Sequence, residues 1–182
     1  MLLAPAALGV ASGERLTALA PALQAIDPEQ LTWPMLAWTA VEATLAAGLF
    51  DTAAELAAAV CERAYRFWDA RVAHPDRTLP GISCEYWPPG GRCGGEGYGW
   101  GALTAHLLLR AILGVDPTPG ALHLRPNLPP AWRAPGRRYR AELSWRGRRL
   151  RLDLAPLGGG RVAVTVDGRR EELAWGERLA VG

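Results

Sequence analysis

The chain is poor in the residues that build cross-linked or metal-bound frameworks. It has 3 cysteines, Cys61, Cys84 and Cys93, an odd number without CxxC spacing. That argues against a disulfide framework or a zinc site, although a bridge between Cys84 and Cys93 stays open in an oxidising compartment. It lacks any apolar run long enough to span a bilayer. The N-terminal MLLAPAALGV is apolar but short, and no basic residue precedes it, so it reads as a helix. Net charge is small, +2, too small to imply a polyanionic partner. The phosphate-loop pattern GxxxxGK with a following Ser or Thr is missing. The glycines of residues 95–99 read GxGxG, where a dinucleotide site needs GxGxxG after a strand. Low-complexity tails are absent. These absences set the first expectations: no cofactor, no metal site, no nucleic acid, no membrane, and a cytoplasmic location.

What is present suits a globular protein. Of 182 residues, 49% are hydrophobic, enough for one domain, or one domain with an appendage, to bury a real core. Residues 1–25 have helical spacing, with Ser12 or Gly13 near a start and Leu16, Leu19 and Leu23 on one stripe. Asp27-Pro28 interrupts it. Trp33-Pro34 opens a second helix, since proline is tolerated in a first turn. This helix runs to Gly48, a C-terminal stop, and is apolar nearly all round, the pattern of a helix buried on most sides. A third helix is predicted from Asp51 or Thr52, with Thr52 and Glu55 as a capping box. It is amphipathic, with Leu56, Val60, Ala64, Phe67 and Trp68 on its apolar stripe. Residues 72–98 read as a long loop, and a fourth helix follows from about Trp100 to Leu113.

After Pro117 and Pro119 the apolar period changes to two. Leu122 and Leu124 alternate with polar neighbours, as do Tyr139, Ala141, Leu143 and Trp145. Arg146-Gly147 can turn the chain into Leu150, Leu152 and Leu154. Asp167-Gly168 after Val162, Val164 and Val166 is a strong hairpin signal. Leu173, Trp175, Leu179 and Val181 complete an antiparallel sheet with one buried face. The arginines from Arg133 to Arg151 alternate with apolar residues, as on the solvated face of such a sheet. They lack the continuous patch and module of a nucleic-acid binder.

The most informative stretch is GISCEYWPPGGRCGGEGYGW, Gly81 to Trp100. It sets the carboxylate of Glu85 beside Tyr86 and Trp87, then a glycine-rich run, then Tyr98 and Trp100. Aromatic faces with polar tips suit sugar rings, and a carboxylate among them suits acid or base work on a polyhydroxylated substrate. Glu96 competes with Glu85, but its place before a helix favours a capping role. Trp38, in mid-helix, reads as core. His106 reads as core or hydrogen-bonded, and His74 and His123 as surface residues.

The ordered motifs LTWPMLAW, CEYW, GEGYGWGAL and LGVDPTPGALHLRPNLPPAW resemble the C-terminal portion of glycoside hydrolases with an (α/α)6 barrel. The nearest groups are family 63, similar to glucosidase I and mannosylglycerate hydrolase, and the family 37 trehalases. The resemblance implies a mainly α fold, a partial (α/α)6 toroid of helical hairpins over residues 1–117, followed by an antiparallel β region over 118–182. It implies an inverting hydrolysis of α-glucosides or related small glycosides with Glu85 as general base, and Trp33, Tyr86, Trp87, Glu96, Tyr98 and Trp100 as substrate-binding residues. In such mechanisms the acid and base stand about 6.5–9.5 Å apart with water between them. No segment here resembles the family's acid-bearing motif. The expected partners are therefore a carbohydrate substrate and a missing N-terminal barrel segment, in cis or in trans. The isolated chain is expected to be inactive and prone to self-association. The alternative is a non-catalytic carbohydrate-binding or subunit-docking module.

Overall fold

A computed structural model describes residues 3–69, 83–84, 96–98 and 102–181, with only the backbone for 66–69, 83–84 and 96–98. The chain divides into two units, Met1–Ala111 and Ile112–Gly182.

The first unit is built from helices α1 (Leu3–Ala7), α2 (Glu14–Gln24), α3 (Pro34–Ala46), α4 (Phe50–Asp69) and α5 (Ala102–Leu107). Gly13 is the N-cap of α2. Asp27 caps a 3-10 turn over Pro28–Gln30 by accepting the Glu29 N–H at 2.9 Å. Trp33 is then the extended N-cap of α3, with Pro34 in the first helical position, where its missing N–H costs nothing. Gly48, at φ 74°, follows the end of α3 and releases the chain into α4. Helix α4 starts at Phe50, so Thr52 and Glu55 lie inside it and the expected capping box is not formed.

Helix α3 is the hub, because α1, α2, α4 and α5 all pack on it. That explains an apolar pattern running almost round the helix. Many of the buried positions are alanines, including Ala37, Ala40 and Ala43 on α3 and Ala53, Ala54 and Ala57 on α4. A separate cluster of Ala6, Ala11, Leu23 and Ala43 seats α1 and α2. Leu23 is fully buried there, worth about 1.5–3 kcal/mol over an exposed leucine. Strands β1 (Ser83–Cys84) and β2 (Glu96–Tyr98) pair antiparallel in this unit, so the expected long loop carries regular structure. Helix α5 runs directly into a π-helical turn over Leu108–Ile112.

The second unit holds two antiparallel sheets. One has the order β3 (Val115–Pro117), β4 (Leu122–Leu124), β9 (Leu179–Val181). The other is a four-stranded meander of β5 (Tyr139–Trp145), β6 (Arg148–Gly158), β7 (Arg161–Val166) and β8 (Arg169–Ala174). Two of its three tight turns are those the sequence predicts; the third is at Gly159 and Gly160, with φ of 58° and 75°. Arg146 and Gly147 have φ of 49° and 77°, Asp167 and Gly168 of 49° and 89°, the doubly left-handed form that matches the twist of a hairpin. Leu150, Leu152, Leu154, Val162, Val164 and Leu173 are buried in its core. The PNLPPAW segment is tied down by side chains. Arg133 Nε donates to the Leu128 carbonyl at 2.7 Å, and the Arg133 guanidinium lies 4.7 Å from the Trp175 ring centre. The Tyr139 hydroxyl donates to the Trp132 carbonyl at 2.7 Å.

This architecture is α+β and corrects the expected fold class. A toroid alternates inner and outer helices around an axis. Among the described residues four helices gather about one central helix, and the strands form antiparallel sheets. The all-round apolar character of α3 comes from neighbours on every side, not from a place in an inner ring.

Candidate functional site

Of the residues expected to act on carbohydrate, Glu85, Tyr86, Trp87 and Trp100 lie outside the described residues. Glu96 and Tyr98 belong to β2, where Cys84 pairs with Glu96 and Ser83 with Tyr98. The ladder therefore brings together the two ends of the segment that carries residues 85–95. Glu96 is a strand residue, which removes the expected helix-capping role.

Trp33 is described in full. It stands 36% exposed at the start of α3, beside Met35 and Leu36, each 41% exposed. Proline at position 34 fixes the first turn of the helix, so these three side chains are held on a rigid element. Three large apolar groups within four residues make a local patch of the kind that marks an interaction surface. Tyr65 on α4 is a further exposed aromatic, at 61%.

One turn and a half further along α3 is Glu42, whose side chain is 12% exposed. His106 Nε2 lies 2.8 Å from Glu42 Oε1, and Arg110 Nε lies 3.8 Å from Oε2. His106 and Arg110 stand four residues apart and so reach the same carboxylate. The carboxylate can only accept, so His106 donates from Nε2. A histidine oriented by a carboxylate is half of a nucleophilic triad. Among the described residues, however, no hydroxyl or thiol bonds to His106. The arrangement works as a clamp between α3 and the helix that follows residue 101. The sequence reading missed Glu42. Its signal was present, for it is the only charged residue in PMLAWTAVEATLA, and a carboxylate in an apolar helix needs a partner.

Among the described residues of this unit Thr44 and Arg63 are also buried, the Thr44 hydroxyl donating to the Ala40 carbonyl at 2.7 Å, and Cys61 is half-buried. Arg63 is 4% exposed; its Nη1 donates to the Leu31 carbonyl at 3.1 Å and its Nη2 meets Glu29 Oε2 at 2.7 Å. The Cys61 thiol contacts the Thr104 carbonyl at 3.7 Å. Burial pushes its pKa up to about 11, so it is a neutral, poorly nucleophilic thiol at physiological pH. Among the described residues no group of three or more His, Cys, Asp or Glu side chains could hold a metal ion, and no helix is long and apolar enough to cross a membrane.

No family model, no curated protein and no solved structure matches this chain. With the observed α+β fold, that overturns the resemblance to the (α/α)6 glycoside hydrolases of families 63 and 37. Motif order along the chain suggested the likeness. The motifs are short, and a Trp-Pro helix start or a Gly-aromatic-Gly run answers local backbone needs that many folds share.

Proposed function

We propose that the chain is a docking module: a small helical and β unit that joins another polypeptide through the start of α3. The observation that carries this reading is the exposure of Trp33, Met35 and Leu36 on one fixed helical turn. The partner would present an apolar surface, and burying these side chains would supply the driving force. A partner of this kind agrees with the arginine-only basic residues and low net charge, which offer little long-range steering toward a polyanion. We place the module in the cytoplasm, where its cysteines would remain reduced.

The test is sedimentation equilibrium of the purified chain over a concentration series, beside the Met35→Glu, Leu36→Glu double variant. The patch, lacking its partner, is expected to drive self-association of the parent chain. The double variant should stay monomeric with an unchanged circular dichroism spectrum. A parent chain that is monomeric throughout and binds no apolar dye would remove the reading.

A second reading has its own support, the β1–β2 ladder that draws together the ends of the Glu85-bearing segment. In this reading the segment contacts a small glycoside through Tyr86, Trp87 and Trp100. Glu85 deprotonates a water for hydrolysis once another segment supplies the acid. It rests on these residues alone and not on any family likeness. Quenching of tryptophan fluorescence by small glycosides, lost in Trp87→Ala and Trp100→Ala, checks the contact. Release of an aryl alcohol from an aryl glycoside, abolished by Glu85→Gln, checks the chemistry.

A further inference from the structure

The outer face of the four-stranded meander carries an arrangement that the docking reading does not use. Strands β5 and β6 pair so that Arg140 stands opposite Asp153 and Glu142 opposite Arg151. The two arginines are therefore diagonal neighbours on one face, about 7–8 Å apart at the backbone. Each engages a carboxylate through Nε: Arg140 Nε is 3.2 Å from Asp153 Oδ2, and Arg151 Nε is 3.4 Å from Glu142 Oε1. The two arginine side chains are 71% and 77% exposed, so the outer edges of their guanidinium planes reach water. A guanidinium held by Nε still offers two terminal nitrogens in a fixed plane.

The carboxylates are themselves shared. Asp153 also receives Arg138, at 3.3 Å from Nε and 3.1 Å from Nη2. Glu142 also faces Arg149, at 3.8 Å. Four guanidinium groups thus surround two carboxylates. Asp167 lies beside them, and its Oδ1 accepts the Arg151 backbone N–H at 2.8 Å. Counting all three acids, the patch keeps a net positive charge. Arg140 and Arg151 line a depression of about 380 Å³ with Thr165 and Gly168. Gly168 has no side chain to fill it, and its φ of 89° disfavours any other residue there. The volume is that of a small-molecule site and not of a polymer groove.

We infer that Arg140 and Arg151 form an oxyanion-binding pair, taking a small ligand that bears one carboxylate or phosphate group. The oxyanion bridges the two outward guanidinium forks, the geometry in which arginine binds such groups best. The Nε contacts hold the forks in place before the ligand arrives, which lowers the ordering cost of binding. Thr165, which pairs with Asp153 on the same face, offers a hydroxyl beside the anion. This site lies wholly within the second unit and stands or falls apart from the docking of α3.

The experiment follows the arginine Nε–Hε signals of the full chain by nitrogen-15 NMR. The chain is titrated with sodium phosphate, with sodium acetate and with glycerol as a neutral control, at constant ionic strength set by sodium chloride. Saturable shifts with phosphate or acetate, and none with glycerol, are expected. Phosphate alone would identify a phosphate ester as the ligand class, and acetate, alone or with phosphate, a carboxylate. Binding should weaken about tenfold or more in Arg140→Gln and in Arg151→Gln. It should be unchanged in Arg161→Gln, which removes a charge paired with Glu172 elsewhere on the sheet. Absence of saturation with both anions would overturn the proposal. So would an equal loss in Arg161→Gln, which would mean diffuse charge attraction. Saturation by a short DNA oligonucleotide but by neither small anion would overturn it in favour of a polyanion surface.

Discussion

Glu42 on α3 and His106 on α5 are joined by a 2.8 Å hydrogen bond across 64 residues of chain. The carboxylate is nearly buried and the imidazole half-exposed, so the bond fastens the later helix to the hub from the solvent edge. Glu42→Ala is expected to destabilise the chain by about 1–3 kcal/mol, since it strands His106 and withdraws an acceptor from Arg110. Glu42→Gln keeps one acceptor oxygen and should cost less. Urea unfolding of Glu42→Gln, His106→Ala and the double variant would measure the coupling, expected at about 0.5–1.5 kcal/mol.

Cys61 gives the helical unit a defined alkaline limit. Desolvation raises its folded pKa from 9.0 to about 11. Below pH 9 the thiol is neutral in both folded and unfolded chains and stability does not depend on it. As pH rises from about 9 toward 11 the unfolded thiol ionises while the folded one does not, so stability falls across that window. The loss is on the order of 2–3 kcal/mol. Chemical denaturation at pH 8, 9, 10 and 11 should show a decline that Cys61→Ala reduces. Peptide mapping after alkylation should find Cys61 labelled far faster in urea than in buffer.

The buried Arg63 is expected to resist its nearest substitute. Arg63→Lys keeps the charge but loses the fork that reaches both the Leu31 carbonyl and Glu29. It should cost about 2 kcal/mol. Glu29→Gln should cost under about 1 kcal/mol, because the Glu29 side chain is 63% exposed. Thermal melts of the two variants, read side by side, test the order.

Gly114 admits no side chain. Its φ is 70°, and a Cβ there would sit 1.7 Å from the Arg125 carbonyl oxygen, a backbone atom that cannot swing aside. The same two residues share the 2.8 Å bond from the Arg125 N–H to the Gly114 carbonyl. Gly114→Ala should cost more than about 3 kcal/mol or prevent folding. Gly120→Ala meets nothing within 4 Å and is expected to be neutral or slightly stabilising. Expression level and melting temperature of the pair check this.

Local signals read well from the chain. Pro34 and Gly48 bracket α3, and the alternation of residues 139–145 marks β5 and its faces. Asp167-Gly168 turns β7 into β8. These depend on dihedral limits and side-chain period, which a few residues decide. The arrangement of the helices was misread, because an all-round apolar helix reports that it is surrounded and not by what. Phe50 begins α4 before the polar Thr52 because the N-terminal boundary is set by the turn after Gly48, not by the first cap-like residue. Strand β6 runs to Gly158 through Pro156, beyond the leucine alternation, with an irregularity in its pairing that absorbs the proline. For the site, Trp33 was placed at its helix start, and Glu42 was overlooked because its partners lie more than sixty residues away.

The alanines that fill the helical unit, set against the leucines and valines of the meander, give the two halves opposite mutational tolerances. Where Ala37, Ala40, Ala53 and Ala57 sit fully enclosed, there is almost nothing to delete, and any added methylene must push a helix outward. Where Leu154, Val162 and Val164 sit, there is side-chain volume to lose, and trimming leaves a void. Drift over generations should therefore hold the helical half to small residues and the sheet half to large ones. A library of random substitutions would sort its survivors by volume, in opposite directions, on either side of residue 112.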